Sequence, residues 1–210
     1  MDGTLLDSMP AWASVGRNFM LQKGLTPPPE VDEAMLRMSL TEAASYLQGL
    51  GVDEPPARIQ AGLNGLVDDF YRNAAPLKPG VKPFLAALHA AGVRMCVATA
   101  SDRAQAEVAF ARLGILALFD GILTCTQLHT TKAEPILFDA ARTLMGTARE
   151  TTWVFEDARH AAETARRAGY PVCGIFDASE PDRDGLTAAS CLYLTAFSDA
   201  LDRFDPIVQS

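Results

Sequence analysis

The sequence predicts an α/β protein: a doubly wound parallel sheet with an all-helical module inserted near its start. Three observations predict this. From Arg94 onward, short apolar runs alternate with polar turns and amphipathic helices, the pattern of βαβ units that build a parallel sheet with helices on both faces. Between about Trp12 and Ala75 the apolar spacing is helical, with no convincing strand. A chain of 210 residues, 49% hydrophobic and 21% charged, has the composition of a globular protein with room for one large domain or a domain carrying an insertion.

The elements follow in order. MDGTLLDS (1–8) opens on an Asp-Gly pair, a common turn. AWASVGRNFMLQKG, LTEAASYLQGL and PPARIQAGLNGLVDDFYRNA read as helices, punctuated by the prolines at 27–29 and 55–56. APLKPGVKPF (75–84) looks like a linker back to the α/β part. The expected division is therefore 1–11 with 79–210 as the α/β core and 12–78 as the helical module. RMCVAT (94–99) is a strand, and SDRAQAEVAFARLG is a helix stopped by Gly114. FDGILTC (119–125) and TTWVFED (151–157) are further strands. They are followed by the helices EPILFDAARTLMG and ARHAAETARRAG, the latter ending at Gly169. PVCGIFD (171–177) is a fourth strand, and CLYLT (191–195) a short edge strand.

Charge and cysteine usage narrow the function classes. A net charge of −8 and a pI near 4.8 exclude a general nucleic-acid binder, which needs a basic face. No apolar run approaches the roughly 20 residues that span a bilayer, and no basic-then-apolar leader opens the chain. Cys96, Cys125, Cys173 and Cys191 show no CxxC spacing, and Cys96 and Cys173 lie in strand-like runs as expected of buried thiols. A reducing cytoplasm is the expected compartment. No pair among His89, His129 and His160 has metal-ligand spacing.

Four stretches carry candidate chemistry. DGTLLDS supplies Asp2, although a solvated turn explains it equally well. VATAS (97–101) puts Thr99 at a strand's carboxyl end, where open α/β sheets bind ligands. With Ala100 and Ser101 it opens the next helix, a position that can hold an anion; a plain N-cap at Ser101 is the alternative. Lys132, in TTKAEPILF, is either a solvated charge or the neutraliser of a bound phosphoryl group. VFED (154–157) places Glu156 and Asp157 side by side after an apolar strand. Their repulsion would be relieved by a hard, oxygen-preferring cation such as Mg²⁺, unless Asp157 merely caps the next helix. Each stretch is weak alone. In order, at successive strand ends, they describe a metal-assisted phosphoryl-transfer site.

These residues resemble the haloacid dehalogenase superfamily, in its branch of small phosphatases and β-phosphoglucomutase-like enzymes. Its first motif is an apolar strand ending in D-x-D-G-T-L/V, often continued by D-S, and residues 1–8 match from x onward. Thr99 fits the second motif and Lys132 the third, with KAEPILF following K-x-x-P-x-x-F. Glu156 and Asp157 fit the fourth. The helical insertion is similar to the family's small cap, and the resemblance implies a Rossmann-like core. It also implies that Asp2 is the acid/base and lends its backbone carbonyl to Mg²⁺. Thr99 and Lys132, with the Ala100–Ser101 turn, would bind the phosphoryl group. Asp157 would ligate the metal, with Glu156 acting through water.

The family's first aspartate, the nucleophile that forms an aspartyl-phosphate, would lie one residue before Met1. The expectation is a shortened form of a working hydrolase, with Met1 internal, lacking the central strand and inactive as it stands. Trp12 stands where the mutase branch tends to carry histidine, and Arg37 is only a rough counterpart of its cap arginine. The implied function is a Mg²⁺-dependent phosphatase acting on a small phosphorylated metabolite. The alternatives are a sugar phosphomutase or a non-catalytic phosphate-binding relative; oligomeric state stays open.

Overall fold

The computed structural model describes residues 1–35, 38–200 and 203. They form two compact units, Ser8–Ala75 and Met1–Asp7 with Pro76–Ser210.

The first unit is helical. It comprises α1 (Met9–Ala13), α2 (Val15–Gln22), α3 (Val31–Met35), α4 (Leu40–Gly49) and α5 (Pro56–Asn73). AWASVGRNFMLQKG, expected as one helix, is two. The break falls at Ser14, whose hydroxyl donates to the carbonyls of Pro10 (2.9 Å) and Ala11 (3.3 Å), a local bond that competes with helix continuation. α4 begins with a capping box: the Glu42 amide donates to Ser39 Oγ and the Glu42 carboxylate accepts from the Ser39 amide. Phe19, Leu47, Ile59 and Leu63 are buried in one core. Trp12 belongs to this unit, donating from Nε1 to the Tyr71 hydroxyl at 2.9 Å. Arg37 lies outside the described residues.

The second unit alternates helix and strand after residue 95. Its helices are α6 (Val81–Ala90), α7 (Arg103–Leu113), α8 (Cys125–Leu128), α9 (Ile136–Met145), α10 (Arg159–Arg167) and α11 (Arg183–Ala189). Its strands are β1 (Cys96–Thr99), β2 (Gly121–Thr124), β3 (Val154–Glu156), β4 (Val172–Ile175) and β5 (Leu192–Leu194). The linker reading of 75–84 is corrected at its end, because α6 starts at Val81. Pro83 misleads there, yet proline is tolerated in a helix's first turn. Gly80 caps the helix at φ +84°, and a Cβ on it would overlap the backbone of Phe197 and Ser198. Residues 76–78 pair with the opening loop: Asp7 donates to the Pro76 carbonyl and Lys78 to that of Leu5.

The strands form two parallel groups, β1–β2 and β3–β4–β5. Among the described residues β1 ladders only with β2, and β3 only with β4. A cavity of about 240 Å³ lies where they face each other, lined by residues 95–98 on one side and 153–156 on the other. α9 lies along one face, its Phe138 in a core shared with Ala98 and Val154. On the other, the ring of Phe84 in α6 packs at a tilt against Phe155 and Phe197, with centroids 5.7 and 5.4 Å apart. Cys96 and Cys173 sit within strands, and burial pushes their thiols up to about 11 and about 12, so they are inert packing groups. No helix among the described residues is long and apolar enough to cross a membrane.

Candidate active site

The opening loop is held by its own backbone. Leu5 and Leu6 both donate to the Met1 carbonyl, and Asp2 bridges Leu6. Gly3 makes the turn at φ +65°, which L side chains avoid. A Cβ there would also overlap Asp157 Oδ2, so the glycine lets the loop's backbone press directly on the end of β3.

Each neighbouring strand end then contributes one contact. After β1, Ser101 Oγ donates to Asp2 Oδ2 at 2.5 Å. After β3, Asp157 Oδ1 accepts from Thr4 Oγ1 at 2.5 Å. Lys132, between α8 and α9, pairs with Glu156 Oε2 at 2.7 Å. Ser101, Lys132 and Glu156–Asp157 therefore gather around the loop that carries Asp2, from segments far apart in sequence.

The local alternatives resolve against simple capping. Asp102, not Ser101, occupies the N-cap of α7, and Ala158, not Asp157, that of α10. Ser101 is instead committed to Asp2. Thr99 is buried, and its Oγ1 accepts from the Ser101 amide at 3.1 Å, which leaves its proton to donate. Ala100 is exposed at the tip of that turn.

The two adjacent acids are treated oppositely. Burial works against ionised Glu156, but the Lys132 ammonium and the Met1 amino group overcome it and hold its carboxyl below the usual range. Lys132 loses by burial and gains more from Glu156, so it stays protonated. Asp157 is pushed up to about 6, by burial first and then by Glu156, against the smaller opposing pull of the Met1 amino group and the Thr4 hydroxyl. Among the described residues no three His, Cys, Asp or Glu side chains cluster as a metal cage. Mg²⁺ does not require one, since it keeps several waters and takes one or two carboxylates. Asp157, buried, repelled by Glu156 and held by one neutral hydroxyl, is the donor that suits such a cation.

Two supporting features escape the sequence. Thr4 is buried against Asp157; its place inside DGT was the available signal. Lys78 pairs with buried Asp177 at 2.7 Å and donates to the Phe176 carbonyl at 2.6 Å, while Asp177 accepts from the Ser179 amide and hydroxyl. The pair ties the segment that clasps the opening loop to the end of β4. Nothing in the spacing of Lys78 and Asp177 announces it.

Comparison of the whole chain with known proteins gives its family and fold. A profile of the haloacid dehalogenase-like hydrolases matches residues 1–175. The chain belongs to that family. No curated protein matches it. Among solved structures, this hydrolase is similar to a Thermotoga maritima protein assigned as a β-phosphoglucomutase. The two are 20% identical over 99% of this chain and 96% of that one, with a TM-score of 0.87. A Haemophilus somnus protein assigned as a phosphoglycolate phosphatase is 20% identical over 97% and 94%, with a TM-score of 0.79. A Bacillus subtilis hydrolase of the same family, crystallised with magnesium, is 12% identical over 98% and 96%, with a TM-score of 0.80. At these identities the likeness is one of fold.

Proposed function

We propose that the working protein is a Mg²⁺-dependent phosphatase hydrolysing a small phosphomonoester through an aspartyl-phosphate. The observation that carries this reading is the set of contacts Ser101–Asp2, Thr4–Asp157 and Lys132–Glu156, which gather the strand ends around the opening loop, with Thr99 bonded to the Ser101 amide. The nucleophile is an aspartate one residue before Met1, on an apolar strand that fills the cavity between β1 and β3. A carboxylate beside Asp2 would approach a phosphoryl group held by Thr99 and Lys132.

Thr99 donates its hydroxyl proton to a phosphoryl oxygen, and the Lys132 ammonium offsets the charge that develops there. The Ala100–Ser101 turn supplies further donors. Asp2, oriented by Ser101, protonates the leaving alcohol oxygen as the nucleophile's carboxylate bonds to phosphorus. Asp2 then takes a proton from the water that cleaves the acyl-phosphate and releases inorganic phosphate. Asp157 and the Asp2 carbonyl would hold Mg²⁺, with Glu156 acting through water. The cation would supply charge neutralisation at the phosphoryl oxygens. The small phosphorylated metabolite is its partner, and the cytoplasm its compartment.

The test is a phosphate-release screen over sugar phosphates, nucleotides and phosphoglycolate. It uses protein extended by the upstream strand and aspartate, beside the chain starting at Met1 and an extended Asp2→Asn variant. Release that needs Mg²⁺, by the extended protein alone, is the expected result. Turnover by the chain starting at Met1 defeats the assignment of the nucleophile. Interconversion of phosphoglucose isomers without net phosphate release would make the protein a mutase.

A further inference from the structure

We propose that Lys78, through its buried pair with Asp177, is a positioning residue of the site, fixing where the opening loop holds Asp2. This rests on the reading above for the part played by Mg²⁺, and on the contacts alone for the rest.

The pair ends a continuous line of contacts that starts at Asp2. Asp2 bridges Leu6, and the amides of Leu5 and Leu6 donate to the Met1 carbonyl. Leu6 bridges Leu77 in the antiparallel sense, the Asp7 amide donates to the Pro76 carbonyl, and the Lys78 amide to that of Leu5. Lys78 Nζ then reaches Asp177 Oδ2 at 2.7 Å and the Phe176 carbonyl at 2.6 Å. That far end is itself fixed. The Phe176 amide donates to the Leu194 carbonyl of β5, and Asp177 Oδ1 accepts from the Ser179 amide and hydroxyl.

The loop's holds on β1 and β3 are of another kind. Ser101 grips the Asp2 carboxylate and Thr4 grips that of Asp157. In the proposed chemistry those carboxylates take up a proton and a cation, so both contacts compete with the reaction. Lys78 and Asp177 direct their bonds to each other, to Phe176 and to Ser179. Their hold therefore persists whatever Asp2 and Asp157 carry.

Burial points the same way. The side chains of Lys78 and Asp177 are 13% and 5% exposed. Desolvating two charges offsets most of their attraction, so such a pair adds little stability; its better attested use is to fix a register. Here the register is that of residues 76–78 against residues 5–7. Sliding that pairing by one residue would carry the ammonium away from Asp177 and leave both charges buried alone.

The test compares the 210-residue chain with Lys78→Met and with Lys78→Met/Asp177→Asn. The single variant orphans buried Asp177, so its melting temperature should fall. The double variant removes that charge, keeps an acceptor for Ser179, and should regain most of the loss. A merely structural pair predicts that every other property returns with the melting temperature. Positioning predicts otherwise. In the double variant the amides of Asp7 and of position 78 should exchange about tenfold or more faster, the scale of one lost charge-assisted hydrogen bond. The amides of the β4 ladder should keep their protection. Mg²⁺ affinity by calorimetry should stay about tenfold below the parent's, as when a supporting partner of a metal ligand is removed. Loop amides as protected as in the parent, or Mg²⁺ affinity restored along with the melting temperature, overturns the proposal. A parent chain that binds no Mg²⁺ removes the metal from the proposed function; exchange at the two amides then decides the positioning role alone, in the same two senses.

Discussion

Glu156 and Asp157 are neighbours at the end of one strand, and the fold treats them as different chemical objects. Glu156 is buried against a full positive charge 2.7 Å away. Asp157 is equally buried but faces a threonine hydroxyl and a glycine backbone. One carboxylate is neutralised by a lysine, and the other is compensated only in part, by a hydroxyl and by more distant positive charge. A buried acid held only by a neutral hydroxyl is costly to ionise, and this supports the proposal that a cation binds beside it. In the proposed function it is the difference between the two acids, rather than their number, that assigns the metal to Asp157.

Removing the internal compensation has the largest expected effect. Lys132→Met leaves Glu156 buried without its partner, and breaking such a pair costs about 3–5 kcal/mol. Urea denaturation of the variant measures it. The double variant Lys132→Met/Glu156→Gln removes the orphaned charge and is expected to recover most of the loss. If the single variant is as stable as the parent, Glu156 is not charged in the folded chain and the contrast between the acids collapses. Glu156 adds stability that is present above pH 4.5 and lost as pH falls through its depressed folded value.

Gly3→Ala comes next. The substitution forces a Cβ into the left-handed region and into Asp157 Oδ2, with an expected cost of roughly 1–3 kcal/mol. Because Asp157 must move, Mg²⁺ affinity measured by calorimetry should fall with it. A variant that loses stability while keeping Mg²⁺ affinity would detach Asp157 from the metal.

Much of this contrast was legible in the sequence, and its limits have physical causes. Five apolar runs gave five strands, because a buried parallel strand is written as a short unbroken apolar stretch. Asp2, Thr99, Lys132 and Glu156–Asp157 were readable because strand ends point at one crevice whatever the loops do. Three things were not readable. The break in the first helix depends on Ser14 bonding back to Pro10, which competes locally with propensity. The start of α6 was hidden behind Pro83. The roles of Thr4, Ser101 and Lys78 depend on partners 153, 99 and 98 positions away, and no local pattern encodes such pairing.

The smallest effect tests the contrast most finely. Thr4→Val keeps the shape of the side chain and deletes the one hydroxyl donor to Asp157, a loss of about 1 kcal/mol. Asp157 titrates at about 6 in the metal-free chain. Its folded value is raised above 3.8, so its contribution to metal-free stability is present below pH 3.8 and is lost as pH rises through about 6. Mg²⁺ binding needs the ionised form and has the opposite sense. Affinity should be level above pH 7 and fall about tenfold per pH unit well below 6. Since the Thr4 bond favours the carboxylate, its removal moves this fall upward by somewhat under one pH unit, the equivalent of about 1 kcal/mol. Parent and variant should therefore bind Mg²⁺ alike at pH 8 and differ severalfold at pH 6. A difference that is the same at both pH values would mean that Thr4 shapes the site without tuning Asp157. An affinity independent of pH in both proteins would place the cation on some other group.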